Sequence, residues 1–336
     1  MQPVRGRSMS QPAQTPVASL READAAPADR PAVAKAPGQA RFDTDATLDT
    51  VLDFILRSAL RRLRESQPAA RDSNDPEGIH QYRIGLRRLR SVLGMMRPIV
   101  PSWQLESLRG EAKWLMSALN EARAWDVFAT ETMPPAMRDH PSVEGFDALL
   151  EAAESHRKAA RDKARAAISS PRTAHFHIAL GLWVEQGAWR DEATPESHGM
   201  LAGPARDFAA EILGRLHRKT LKRGRHFKRL TPQERHRLRL AFKKFRYTAD
   251  FFLPLYGKRR KARLLAKTLA KAQDEFGHFN DLAVSEDLVR QIIGGAIPVE
   301  AQRAAGALLG WRLRQLELAD KHLRSAWKRF RTVRLP

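Results

Sequence analysis

A chain of 336 residues, 43% of them hydrophobic, is long enough for one large domain or two of ordinary size around a real core. Its formal net charge is +21, from 59 Lys and Arg against 38 Asp and Glu, which points to an anionic partner or surface and says nothing about fold. There is no cysteine, which excludes disulfides and cysteine-ligated zinc or iron–sulfur centres and suits a cytoplasmic setting; no apolar run approaches the roughly 18 residues of a membrane span.

Residues 1–45 are rich in Ala, Pro, Gln and Asp and poor in large apolar side chains, the composition of a disordered tail. The opening MQPVRGRSMSQPAQTPV lacks the apolar stretch of a secretory signal, and the acids Glu22, Asp24 and Asp29 argue against an organelle transit peptide. Six Lys and Arg in the tail nearly balance five Asp and Glu, so the positive excess belongs to the helical region beyond residue 45.

From residue 46 onward the apolar spacing is helical nearly everywhere. LDTVLDFILRSALRRLRES, Leu48 to Ser66, predicts one amphipathic helix. GEAKWLMSALNEARAWDVFATETM predicts another, and FDALLEAAESHRKAARDKARAAISS a third. Breaks fall at DSNDPEG, RPIVPS, TMPPAM, SSPRT and ATPESHGMLAGP, each carrying Pro or Gly at a helix boundary. No segment alternates apolar with polar, so the expected fold class is all-α. Thr194 to Pro204, polar and rich in small residues, divides the helical part into two halves, 46–195 and 196–336.

The halves contain a repeat. IHQYRIGLRRLRSVLGMMRPIV runs from Ile79 to Val100, and RHRLRLAFKKFRYTADFFLPLY from Arg235 to Tyr256. At a constant offset of 156, His80 matches His236, Arg83 matches Arg239, Arg87 and Arg88 match Lys243 and Lys244, and Arg90 matches Arg246. Downstream, LNEARAWDV from Leu119 matches FGHFNDLAV from Phe276 at an offset of 157, a drift that one loop insertion would produce. At about 100° per residue, His80, Arg83, Arg87 and Arg90 fall within about 80° of one another, with Leu89, Val92, Leu93 and Met96 opposite. His236, Arg239, Lys243 and Arg246 repeat the stripe, opposite Leu238, Phe245 and Phe252. A plain solvated face would intersperse acids at i±4. Neither stripe contains an acid between its histidine and its last cation, and the pattern occurs twice with its histidine.

The doubled H-x-x-R-x-x-x-[RK]-[RK]-x-R, with its downstream L-G-x-x-[RN]-D block, resembles the hallmark of the CHAD domain, the conserved histidine α-helical domain. The resemblance spans about residues 46–330. It implies two helical bundles of about four or more helices each, related by a pseudo-twofold, with basic helices lining a central positive cavity. It also implies binding of inorganic polyphosphate, with targeting to polyphosphate granules, in a stand-alone protein, since the E-x-E-x-K run of CYTH-type triphosphatases is absent. The ligands it implies are His80, Arg83, Arg87, Arg88, Arg90, His236, Arg239, Lys243, Lys244 and Arg246. Two positions depart from the pattern: Asn120 stands at the first block's glycine and Ala124 at its acid, whereas Gly277, Asn280 and Asp281 keep the second.

Further basic segments could extend the track: HRKTLKRGRHFKR, with Lys222, Arg223, Arg225 and His226; KRRKAR from Lys258; and the spaced set Lys321, Arg324 and Lys328. Polyphosphate has no bases to read, so its receptor needs cations spaced along helix turns and no stacking platform. The rival partner is nucleic acid, which a domain of this charge binds at low salt. Most of the seven Trp sit on apolar stripes and are expected in the core rather than on a stacking surface. No metal site is expected, since His80 and His236 are flanked by cations and His175-x-His177 lacks a nearby third ligand. No cofactor is implied. Catalysis is not expected either, because the stripes hold no metal-binding carboxylates, and Asp126, Asp274 and Asp281 read as helix caps or arginine partners.

Overall fold

A computed structural model describes residues 42, 43 and 45–336, without the side chains of 278–283 and 318. The expected disordered tail, 1–45, therefore lies almost wholly outside the described residues. So do the side chains of Asn280 and Asp281.

The described chain is helical, with no strand beyond an isolated bridge between Thr47 and Pro204. Twelve α-helices follow one another: α1 Leu48–Asp72, α2 Pro76–Met96, α3 Trp103–Ala118, α4 Asn120–Val127, α5 Met133–Asp139, α6 Phe146–Ile168, α7 Pro171–Glu185, α8 Pro195–Ala202, α9 Ala205–Arg223, α10 Pro232–Phe252, α11 Arg260–Ile293 and α12 Val299–Thr332. A π-turn, Phe128–Thr132, joins α4 to α5, and 3₁₀ turns at Phe227–Arg229 and Leu253–Tyr256 flank α10.

Several prolines that read as breaks are helix openers. Pro76, Pro171, Pro195 and Pro232 occupy the first turns of α2, α7, α8 and α10, where a missing N–H costs nothing. The side chains of Asp75, Ser170, Thr194 and Thr231 cap those turns, and Thr231 with Glu234 forms a reciprocal capping box.

Three sequence expectations need correcting. The helix expected to end at Ser66 runs on to Asp72 through Pro68, which removes a single backbone donor near its end. The segment beginning GEAKWL is not one helix: it divides at Leu119, whose own backbone stays right-handed helical, so the break is a kink between α3 and α4. The stretch ATPESHGMLAGP, read as a boundary loop, contains α8.

α1 lies along α2, which also touches α3 and α4; α10 packs between α9 and α11, and α11 runs against α12. α2 and α10, the two repeated basic helices, touch each other. Leu89, Val92, Leu93 and Met96 of α2 are fully buried, as are Leu238, Phe245 and Phe252 of α10. At about 1.5–3 kcal/mol per large apolar side chain, these faces fix how each helix is rotated. Phe242, Phe276, Trp327 and Phe330 form an aromatic core beneath α10. Beneath α4, the buried carboxylate of Asp126 accepts from Nε of Arg157 at 2.8 Å and of Arg161 at 2.9 Å, the arginine pairing expected for it.

Candidate functional site

With their apolar faces buried, α2 and α10 turn their basic faces outward. On α2, His80, Arg83, Arg87 and Arg88 are half-buried and Arg90 is exposed. Arg83 donates to Oδ1 of Asn120 at 2.6 Å. Asn120 is the residue that replaces the glycine of the first downstream block, so this departure supplies an acceptor that orients a stripe cation. The Nε atoms of Arg83 and Arg87 are buried and find no acceptor among the described residues.

The electrostatics are strained in one direction. Burial, and then the charges of Arg87 and Arg123, pull the Arg83 guanidinium down to about 10. Burial, then Arg123, also holds His80 below its ordinary value. Arg88 is lowered by burial, against the opposing pull of Asp250. Arg90 is lowered by partial desolvation and then by Arg109. Loss of water is the first cause in each of these groups, and a neighbouring arginine adds to it at His80, Arg83 and Arg90.

On α10, His236 and Lys244 are exposed, whereas Arg239, Lys243 and Arg246 are half-buried. Arg246 lies 3.6 Å from Asp274 of α11. Lys244 is lowered by partial desolvation and then by Lys219, Arg215 and Arg109. Arg109 of α3 thus adds its charge to both Arg90 of α2 and Lys244 of α10. Arg88 of α2 carries its guanidinium 5.5 Å from the centroid of Phe251 on α10. Asp250 feels both Arg88 and Arg246. The first repeat therefore meets the second through Arg88, which faces Phe251 and Asp250 of α10.

Among the remaining expected residues, Arg223 is tied down, donating to the carbonyl of Arg237 at 3.0 Å, and Lys222 is exposed. Arg225 and His226 line a recess with the C-terminal turns of α12. Arg109, Arg123 and Arg215 belong to the cluster without having been singled out in the sequence, and Lys219 joins them from the basic segment HRKTLKRGRHFKR. Arg123 had a signal, since it occupies the [RN] place of the first downstream block. Arg109 had none, because only the folding of α3 against α2 brings it near.

The other histidine candidate has a structural role. Nε2 of His177 lies 2.8 Å from the Tyr82 hydroxyl, and burial, then Arg64, pulls His177 down to about 4. Among the described residues, no three His, Asp or Glu side chains gather closely enough to hold a metal ion. Trp125, Trp183 and Trp189 are fully buried and Trp327 nearly so, as the apolar stripes implied; Trp103, at the start of α3, is 81% exposed. No described helix is long and apolar enough to cross a membrane.

The crystal structure of the CHAD domain from the plant Ricinus communis superposes with a TM-score of 0.71 at 29% identity, over 89% of this chain and 96% of that one. PptA from Streptomyces chartreusis shares the fold, with a TM-score of 0.60 at 16% identity, over 84% of this chain and 100% of that one. No curated protein matches the sequence. The family model of the CHAD domain matches residues 54–290, the span holding both basic helices, and the chain belongs to the CHAD domain family.

Proposed function

We propose that this protein binds inorganic polyphosphate along the basic faces of α2 and α10. One observation carries the reading: the repeats touch, so that Arg88 of the first lies over Phe251 of the second and Arg109 adds charge to both. Two separately solvated helices would have no such junction. In this reading, 46–195 and 196–336 are pseudo-twofold halves and the junction is the wall of a central positive cavity. His80, Arg83, Arg87, Arg88 and Arg90 act with His236, Arg239, Lys243, Lys244 and Arg246. Arg123 and Arg109 widen the array.

Arginine forks grip phosphate oxygens bidentately, while lysine supplies a mobile point charge. A flexible polyanion laid over the junction screens the mutual repulsion of the cations. Each contact releases condensed counterions, so affinity falls steeply with salt. The protein acts as a binding module in the cytoplasm, at polyphosphate granules where these form.

Filter binding at physiological salt tests this, with long polyphosphate competed by RNA of equal total charge. Two double variants are compared with wild type: Arg83→Glu with Arg239→Glu, and the solvent-facing Arg90→Glu with Lys244→Glu, which spares the fold. Both should lose polyphosphate, and RNA should compete poorly. RNA displacing polyphosphate mole for mole of charge would make nucleic acid the partner. Unchanged binding by both variants would end the proposal, as would release of orthophosphate for its non-catalytic part.

A further inference from the structure

The end of α12 repeats the basic pattern a third time. Residues 236–246 read HRLRLAFKKFR and residues 321–331 read KHLRSAWKRFR, identical at six of eleven positions. Lys321, Arg324, Lys328 and Arg331 fall at i, i+3, i+7 and i+10, the register of His236, Arg239, Lys243 and Arg246. The apolar positions correspond as well: Leu238 with Leu323, Ala241 with Ala326, Phe242 with Trp327 and Phe245 with Phe330, all buried. These faces meet. Phe242 packs on Phe330 with centroids 4.6 Å apart and on Trp327 at 6.3 Å. α12 lies beyond the residues 54–290 that carry the family match.

The outward face of this segment forms one side of a recess of about 530 Å³. Arg324, Lys328 and Arg331 contribute from α12; Arg225, His226, Lys228 and Arg229 contribute from the turn that joins α9 to α10. Phe227, stacked on Trp327 with centroids 5.3 Å apart and planes at 11°, holds the turn against the helix. Gly224 permits that approach, since a Cβ there would lie 2.1 Å from the Trp327 ring. Among the described residues, no acid lines the recess. Arg324 pairs with Asp320, which also accepts from Arg235 at the start of α10; Lys328 and Arg331 have no carboxylate within ion-pair distance among the described residues.

We propose that this recess is a second polyphosphate subsite, which takes the length of chain running beyond the N-terminal end of the α10 stripe. The Arg235–Asp320–Arg324 relay places the recess beside that end. Seven basic side chains around an acid-free hollow, in the register already used twice, suit a row of phosphates. Trp327 and Phe227 are buried and stacked on each other, so a nucleobase finds no open stacking face there. The inference rests on polyphosphate being the ligand of α2 and α10.

Calorimetric titration of the full chain separates the two claims. The probes are tripolyphosphate and a long polyphosphate of narrow length distribution. Lys328→Glu with Arg331→Glu alters the recess through exposed side chains. Lys158→Glu with Arg303→Glu is a charge-matched control on exposed positions elsewhere, and Arg90→Glu with Lys244→Glu alters the stripes. The recess variant should bind long chains about tenfold more weakly than the control, with a salt slope shallower by about 1–2, and should take up fewer tripolyphosphates per protein. A recess variant indistinguishable from the control overturns the subsite and leaves the stripe reading intact. Full binding by the stripe variant, with loss confined to the recess variant, overturns the stripe reading and leaves the subsite. Failure of wild type to bind either probe removes both.

Discussion

Replacing Arg83 with methionine should make the free protein more stable and a poorer binder. Arg83 is a half-buried guanidinium whose pKa is pulled down to about 10, first through burial and then through Arg87 and Arg123. At 1.36 kcal/mol per unit of pKa, that drop corresponds to about 3 kcal/mol. Solvent still reaches part of the group, and halving the figure for that screening leaves about 1.5 kcal/mol. The sign follows from linkage. The folded value lies below the unfolded one, so the cost is fully present at neutral pH and is relieved only as pH rises through about 10 towards the ordinary arginine value. Methionine keeps the length and apolar stem of arginine without its charge. Asn120, freed of Arg83, is exposed and turns to water at little cost. Arg83→Met should therefore raise the melting temperature by about 3 °C or more without ligand. It should also weaken long polyphosphate by about tenfold, the loss of one charge-assisted contact. Differential scanning calorimetry and calorimetric titration, both at physiological salt, give the two numbers. A variant that melts lower than wild type without ligand would show that Arg83 is a cation the fold already satisfies, and the reasoning would fail.

The remaining predictions concern protons, a buried ion pair and a strained glycine. His80 is held below its ordinary pKa by burial and then by Arg123. A bound phosphate opposes both, so binding takes up a proton and affinity rises as pH falls from the bound-state pKa to the free-state one; His80→Gln should flatten that rise in a pH series of titrations. Asp126→Asn removes the charge that Arg157 and Arg161 share in a fully buried site, and should lower stability by about 3–5 kcal/mol in urea unfolding while leaving polyphosphate affinity alone. Gly145 has φ +91 at the head of α6, and a Cβ there would sit 2.2 Å from the Glu300 carbonyl. Gly145→Ala should cost more than about 1 kcal/mol by the same measurement, since strain and collision add.

Much of the fold was legible because helical periodicity is a local property. The apolar stripe that buries Leu89, Val92 and Met96 also dictates where Arg83, Arg87 and Arg90 must point. The prolines marked boundaries but not their direction. In SSPRT and ATPESHG the preceding Ser170 and Thr194 caps show that each helix begins there. The kink at Leu119 was not legible, because that residue keeps helical backbone angles and neither Gly nor Pro marks the place. For the site, repetition exposed the stripe, whereas the reach of Arg109 across Arg90 and Lys244 depends on how α2, α3 and α10 pack. The third pattern on α12 was half visible as a spacing of Lys321, Arg324 and Lys328. Its Lys for His and Trp for Phe hid it from a search for the repeated motif, and burial of Leu323, Trp327 and Phe330 in the same register exposes it.

The acids near the junction bear on why such a surface folds at all. Arg123 is paired with Glu131 at 2.8 Å, Arg246 lies 3.6 Å from Asp274, and Asp250 is felt by Arg88 and Arg246. Glu131 and Asp274 come from other elements, whereas Asp250 continues the α10 stripe one turn beyond Arg246. Two like charges 4 Å apart cost about 1 kcal/mol in bulk water and about 4 kcal/mol near a protein surface, so these few pairs offset part of the repulsion and leave the rest. Removing the remainder with more acids would stabilise the free protein but would set a carboxylate competitor beside every phosphate oxygen. On the proposed reading, the array is left under-neutralised so that the ligand supplies the balancing charge. At a polyphosphate concentration one hundred times its dissociation constant, that linkage is worth about 2.7 kcal/mol of folding stability. The aromatic packing of Phe242 against Phe330 and Trp327 holds the α10 and α12 segments in place while their outward faces wait for that charge. If the proposed binding holds, the same side chains that make the free surface unfavourable are the ones that make it a receptor.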